Sequence, residues 1–67
     1  MADGRIEQFK QIITGPVWDG DLISKPDRTE LVKVGWVAQY GGYNFISSSG
    51  VSVAIALGLL TERRPQL

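Results

Sequence analysis

Asp19-Gly20-Asp21 sets two carboxylates two residues apart, the spacing with which a calcium loop can begin. An EF-hand loop also requires a glycine at its sixth position and a closing glutamate at its twelfth. Counted from Asp19 the twelfth residue is Glu30, but the sixth is Ser24, with Ile23 and Pro26 close by. The pair therefore reads as a solvated turn, and no metal ligand is assigned. The 67 residues include no histidine and no cysteine, which removes the commonest transition-metal ligand and any thiolate chemistry. Acid–base work would fall to Asp, Glu, Lys or Tyr, and no two carboxylates are spaced to oppose each other across a cleft. "GGYNFISSSG" holds glycines and serines but lacks the lysine and spacing of a phosphate-binding loop. No catalytic residue and no cofactor are assigned. The chain is expected to work by binding and not as an enzyme.

The binding chemistry is concentrated in "WVAQYGGYNFISSSG", residues 36–50, which holds four of the six aromatic residues. Gly41-Gly42 between two apolar runs predicts a two-residue turn of the primed type. That register pairs Tyr40 with Tyr43, Gln39 with Asn44, Ala38 with Phe45 and Val37 with Ile46. One face of the hairpin then carries Trp36, Ala38, Tyr40, Tyr43 and Phe45, and the other Val37, Gln39, Asn44 and Ile46. The β-branched pair Val37 and Ile46 suits the packed side, which leaves Tyr40 and Tyr43 exposed and Trp36 and Phe45 half covered.

The elements that hold this hairpin follow from periodicity and caps. Asp3 can cap a helix to about Thr14, with Ile6, Phe9, Ile12 and Ile13 on one face and Arg5, Glu7, Gln8 and Gln11 on the other. Gly15-Pro16 ends it. "VWDGDLIS" has room only for a strand fragment or one helical turn. Ser24-x-x-Asp27 resembles a capping box, with Pro26 tolerated in the first turn, and starts a helix that stops at Gly35. Leu31 and Val34 mark its buried side, and Lys25, Thr29 and Lys33 the opposite one. Residues 51–60 alternate like a strand, yet Ser47 can cap a helix and the alanines and leucines favour one. A helix is the preferred reading, with Gly50, Ala54 and Gly58 as a stripe for close approach of another helix. "TERRPQL", residues 61–67, is expected to be a frayed tail.

Size and charge narrow the setting. One domain of this size buries only about 60% of its unfolded surface, so a second subunit through the apolar final helix is a natural staple. Seven basic and seven acidic residues cancel, whereas nucleic-acid binders usually carry a basic excess. No apolar signal region opens "MADGRIEQFK" and no run reaches the roughly 20 residues of a membrane span. A cytoplasmic, membrane-free protein is expected.

The segment from Glu30 to Leu57, "ELVKVGWVAQYGGYNFISSSGVSVAIAL", resembles the C-terminal half of small winged-helix domains. The likeness lies in a helix running into Leu31-x-x-x-Gly35-Trp36-Val37, a glycine-containing wing at Gly41-Gly42, then Ile46-Ser47 and Gly50. It covers roughly residues 24–60, and its general character is similar to small phage or prophage proteins. The resemblance implies an α+β fold, a truncated winged helix ordered helix, short link, helix, two-stranded wing hairpin, helix. The departure lies between Thr14 and Ser24, where the helix that crosses the DNA backbone is missing or reduced to a turn.

What the resemblance implies for function is binding of double-stranded DNA by a regulatory protein. Lys25, Thr29 and Lys33 would face the major groove, with Arg28 beside them and Gln39, Tyr40, Tyr43 and Asn44 near the wing tip. The alternative is a protein-interaction module, such as a phage-type inhibitor or adaptor, that docks through Trp36, Tyr40, Tyr43 and Phe45. A basic stripe over Lys25, Lys33 and the wing would favour DNA. A neutral aromatic face would favour a protein.

Overall fold

The computed structural model describes residues 4–60; the Asp3 cap and the frayed tail expected at 61–67 lie outside them. In chain order the elements are α1 (Gly4–Ile13), β1 (Val17–Trp18), a single 3₁₀ turn (Asp19–Asp21), α2 (Lys25–Lys33), β2 (Val37–Tyr40), β3 (Tyr43–Ile46) and α3 (Ser48–Ala56). The fold is a small α+β one. The hairpin is not two-stranded: β1 adds to it, giving an antiparallel sheet in the order β1-β3-β2.

Local chemistry accounts for most boundaries. The Ser24 hydroxyl accepts from Asp27 N, and Pro26 sits in the first turn of α2. The helix ends as Gly35 N donates to Val32 O and Trp36 N to Leu31 O, both at 3.0 Å, with Gly35 at φ 87°; this paired closure satisfies carbonyls that a helix end would leave bare. Gly41 and Gly42 take φ 59° and 82°, the primed turn whose twist suits a hairpin. The resulting register is Val37↔Ile46, Ala38↔Phe45, Gln39↔Asn44 and Tyr40↔Tyr43.

One sheet face is covered. Phe9, Ile12, Val17, Leu31, Val37 and Ala54 form the buried core, with Ile46, Trp36, Val53 and Leu22 among the partly buried residues packed on it. Each large side chain so buried contributes about 1.5–3 kcal/mol, so a core of this size leaves little margin. Trp36 departs from the alternation expected of it. It precedes β2, follows the Gly35 reversal, and its ring packs on Phe9 with centroids 5.2 Å apart, so it joins the core side and leaves the outer sheet face.

Gln8 and Gln11 also depart from expectation. The periodicity predicts both on the solvent side of α1, yet Gln8 is fully buried. The link between the 3₁₀ turn and α2 crosses that side of the helix. Its backbone has no strand partner there, and buried N–H and C=O groups must be paired. The two amides supply the pairing. Gln8 Oε1 accepts from Ser24 N at 2.7 Å, Gln11 Oε1 from Ile23 N at 3.2 Å, and Gln11 Nε2 donates to Asp21 O at 2.8 Å.

α3 is helical, and its hydrogen bonds show why strand-like alternation lost. The Ser47 hydroxyl accepts from Gly50 N at 2.9 Å, capping the helix, while Ser47 N donates to Trp36 O. The proposed small-residue stripe resolves differently. Gly58 lies beyond the helix at φ 76°, and its N–H closes on Ile55 O. Gly50 approaches the sheet and not another helix: a Cβ there would collide with the Trp36 carbonyl and lie 2.9 Å from Ile46 Cγ1. Glycine to alanine within a helix normally stabilises by about 1 kcal/mol. Here the clash is with backbone, so Gly50→Ala is expected to destabilise by about 1–3 kcal/mol, lowering the melting temperature by roughly 5 °C or more. Thermal unfolding followed by circular dichroism checks this; an unchanged or raised midpoint would mean that α3 does not seat here.

Candidate functional site

The α-helical layer and the open sheet face divide the sequence-derived site residues between them. Lys25, Thr29 and Lys33 are exposed on α2 as expected. They do not form a free basic stripe, because Lys33 Nζ pairs with Glu30 at 3.6 Å and Asp27 shares the helix. Arg28 and Asn44 are turned inward, so the placement of Asn44 at an exposed wing tip is corrected: its side chain is completely buried. The cause is β1, which pairs with β3 through Val17↔Asn44 and Trp18↔Tyr43 and encloses the inner face at that point.

A polar side chain enclosed in this way needs partners, and the chain provides them. Asn44 Nδ2 donates to Val17 O at 3.0 Å and to Asp19 Oδ1 at 2.8 Å, while Asn44 Oδ1 accepts from Arg28 Nη1 at 2.9 Å. The same Arg28 nitrogen lies 2.9 Å from Asp19 Oδ1. Arg28 Nε remains buried with no partner among the described residues. Three segments distant in sequence are thus joined by one amide, one carboxylate and one guanidinium.

The carboxyl of Asp19 is held below its ordinary value of 3.8, first by the hydrogen bond from Asn44, then by the hydrogen bond and charge of Arg28, with a smaller pull from Lys25; loss of solvent opposes them. A carboxylate whose folded value is depressed stabilises the fold above its unfolded value. That contribution is lost as pH falls through the folded one. Wild type is therefore expected to exceed Asp19→Asn in stability at neutral pH, with the gap closing below about pH 4. Urea unfolding at neutral pH and near pH 3 measures it. Equal gaps at both pH values would contradict the assignment.

The other sheet face is open and aromatic. Because Trp18 pairs with Tyr43 and Tyr43 with Tyr40, the three rings form one row across β1, β3 and β2. Tyr40 is 82% exposed, Trp18 48% and Tyr43 46%. The Trp18 and Tyr43 rings meet at 5.4 Å with a 58° tilt, a favourable aromatic geometry. Half-buried Phe45 and exposed Ala38 continue this face. None of these outward ladder positions carries a charge. Gln39, though exposed, belongs to the opposite face by alternation.

Trp18 is the member of this row that sequence reasoning missed. Its position is set by space as well as by pairing. A Cβ at Gly42 would collide with the far edge of the indole, and one at Gly20 would lie 2.9 Å from Nε1, so two glycines accommodate opposite ends of the ring. Beside it lies a groove of about 390 Å³, lined by residues that include Thr14, Gly15, Pro16, Trp18, Asp21 and Tyr43. A smaller, mainly apolar hollow lies on the helical side, among Arg5, Ile6, Leu31, Val34 and Trp36. On α3, Val51 and Ile55 retain exposed surface, as does Leu57 at its C-cap.

Comparison with protein-family models, curated proteins and solved structures finds no significant match to this chain. Among the described residues no three carboxylates gather where they could hold a metal ion, and no helix is long and apolar enough to cross a membrane.

Proposed function

We propose that this protein is a non-catalytic docking module that binds a protein partner through the open sheet face built from Trp18, Tyr43 and Tyr40, flanked by Phe45. The observation that carries the reading is the row itself: three adjacent rings, none of them covered by a helix, on a face with no charged ladder position. Exposed contiguous aromatic surface is uncommon on a monomer and typical of interface centres, where Trp and Tyr are enriched and charges depleted.

The order α1, β1, 3₁₀ turn, α2, β2, β3, with β1 beside β3, supports a reduced winged-helix arrangement in which the turn at Asp19–Asp21 stands for the missing helix. DNA binding through α2 draws less support. Affinity for DNA comes largely from neutralised phosphates, yet the chain is uncharged overall, Lys33 is paired with Glu30, and Arg28 and Asn44 are committed to the interior. Tyr40 and Tyr43 serve either partner chemically. The absence of any cation among the outward ladder positions around them favours a protein.

A photo-crosslinking residue at position 40, with position 29 on α2 as control, tests the reading in cells of the source. Crosslinks to one protein from position 40 and not from position 29 are expected. Tyr40→Ala should abolish capture by crosslinkers elsewhere on the face while changing stability by no more than about 0.5 kcal/mol, as for other exposed positions. Salt-dependent binding of labelled duplex, with a log–log slope reduced by about 2 in the Lys25→Ala, Lys33→Ala double variant, would instead assign the protein to DNA.

A further inference from the structure

The groove beside Trp18 adds a specific chemistry to the docking face. It lies along β1, at the edge of the sheet, and is bounded by the end of α1, by the Trp18–Tyr43 ring pair and by Asp21. Among its lining residues Asp21 carries the only formal charge, and no lining residue is a cation. The Asp21 backbone carbonyl is taken by Gln11 Nε2, which anchors the turn and leaves the exposed carboxylate on its surface. Thr14 and Gly15 follow directly on α1, so the negative end of that helix dipole also meets the groove.

We infer that this groove receives an arginine side chain of the partner protein, the guanidinium stacking on Trp18 and pairing with Asp21. The inference rests on the protein-docking reading of the same face. Three features converge on a planar cation. Tryptophan offers the strongest cation–π surface of the side chains. A guanidinium stacks on aromatic faces and forks onto a carboxylate in a way that an ammonium does not. The groove's charge is complementary, one carboxylate and no cation in its lining, at the C-terminal end of a helix whose last-turn base, Lys10, is paired with Glu7. The glycines at 20 and 42 give the indole its place, so the surface is formed before the ligand arrives.

Titration of the full chain with N-acetyl-L-arginine methylamide, followed by the Trp18 indole N–H and the Asp21 amide in proton–nitrogen NMR spectra, tests this directly. Saturable shifts with a midpoint on the order of 10 mM are expected, in keeping with one exposed cation–π contact and one ion pair. The uncharged isostere N-acetyl-L-citrulline methylamide should bind about tenfold more weakly. Asp21→Asn should reduce arginine binding to the citrulline level. Gly20→Ala, which crowds the indole at a backbone without positive φ, should weaken it as well. Tyr40→Ala, outside the groove, should leave the titration intact while it abolishes partner capture, so the two readings fail separately. Equal binding of arginine and citrulline derivatives, or no saturable shift with either, overturns the inference. Groove shifts produced by Arg63→Ser with Arg64→Ser alone would make the chain's own C-terminal segment the occupant, and would also overturn it.

Discussion

The side chain of Asn44 is the constraint on which the rest of the architecture depends. A strand of two residues has too few ladder bonds to hold its own place, and β1 is such a strand. Asn44 replaces the missing ladder by bonding the Val17 carbonyl and the Asp19 carboxylate together, while Arg28 ties Asn44 and Asp19 to α2. Asn44 is fully buried and Arg28 nearly so, so removing Asn44 leaves enclosed polar groups unpaired, at a typical cost of about 1–3 kcal/mol for each. In a fold with so small an apolar core, that is a large share of the whole.

The inner network has an outer consequence. Holding Val17 and Asp19 from within leaves Trp18, which lies between them, no choice but the opposite face, since successive side chains alternate across a strand. There it meets Tyr43 and completes the aromatic row. The Gln8 and Gln11 amides perform the matching task on the next segment, pinning residues 21–24 to α1. A link too short to be an element of its own thus becomes rigid through side chains, and that rigidity shapes both the row and its neighbouring groove.

Much of this was legible in the sequence, for a physical reason: the features concerned are local. The Ser24 and Ser47 caps, the stop at Gly35 and the Gly41-Gly42 register each depend on residues within about one turn, and all appear as expected. So do the burial of Val37 and the exposure of Tyr40 and Tyr43. One departure is local: Val34, expected on the buried side of α2 beside Leu31, is the C-cap and 56% exposed. Others are non-local. The burial of Gln8 and Asn44 depends on a link that returns across α1 and along β3, bringing Asn44 onto a residue 27 positions away. Strand alternation continued through Trp36 predicts the outer face, but the residue belongs to the helix stop. One signal of the missing strand was present. Asn44 stands opposite Gln39 on the same face as Val37 and Ile46, and a polar residue on the inward side of a hairpin implies a further partner to satisfy it. Val17-Trp18, an apolar pair after Gly15-Pro16, was the available candidate.

The buried Asn44 group holds Trp18 in the aromatic row. The most direct measurement is the proton–proton Overhauser contact between the Trp18 indole and the Tyr43 ring, compared between wild type and Asn44→Ala. The backbone amide contact of the paired residues Tyr40 and Tyr43 across the hairpin serves as internal reference. The Trp18–Tyr43 contact is expected to be strong in wild type and lost in Asn44→Ala while the Tyr40–Tyr43 contact persists. Both contacts persisting in the variant would show that Trp18 holds its place without the inner network, and would contradict the account.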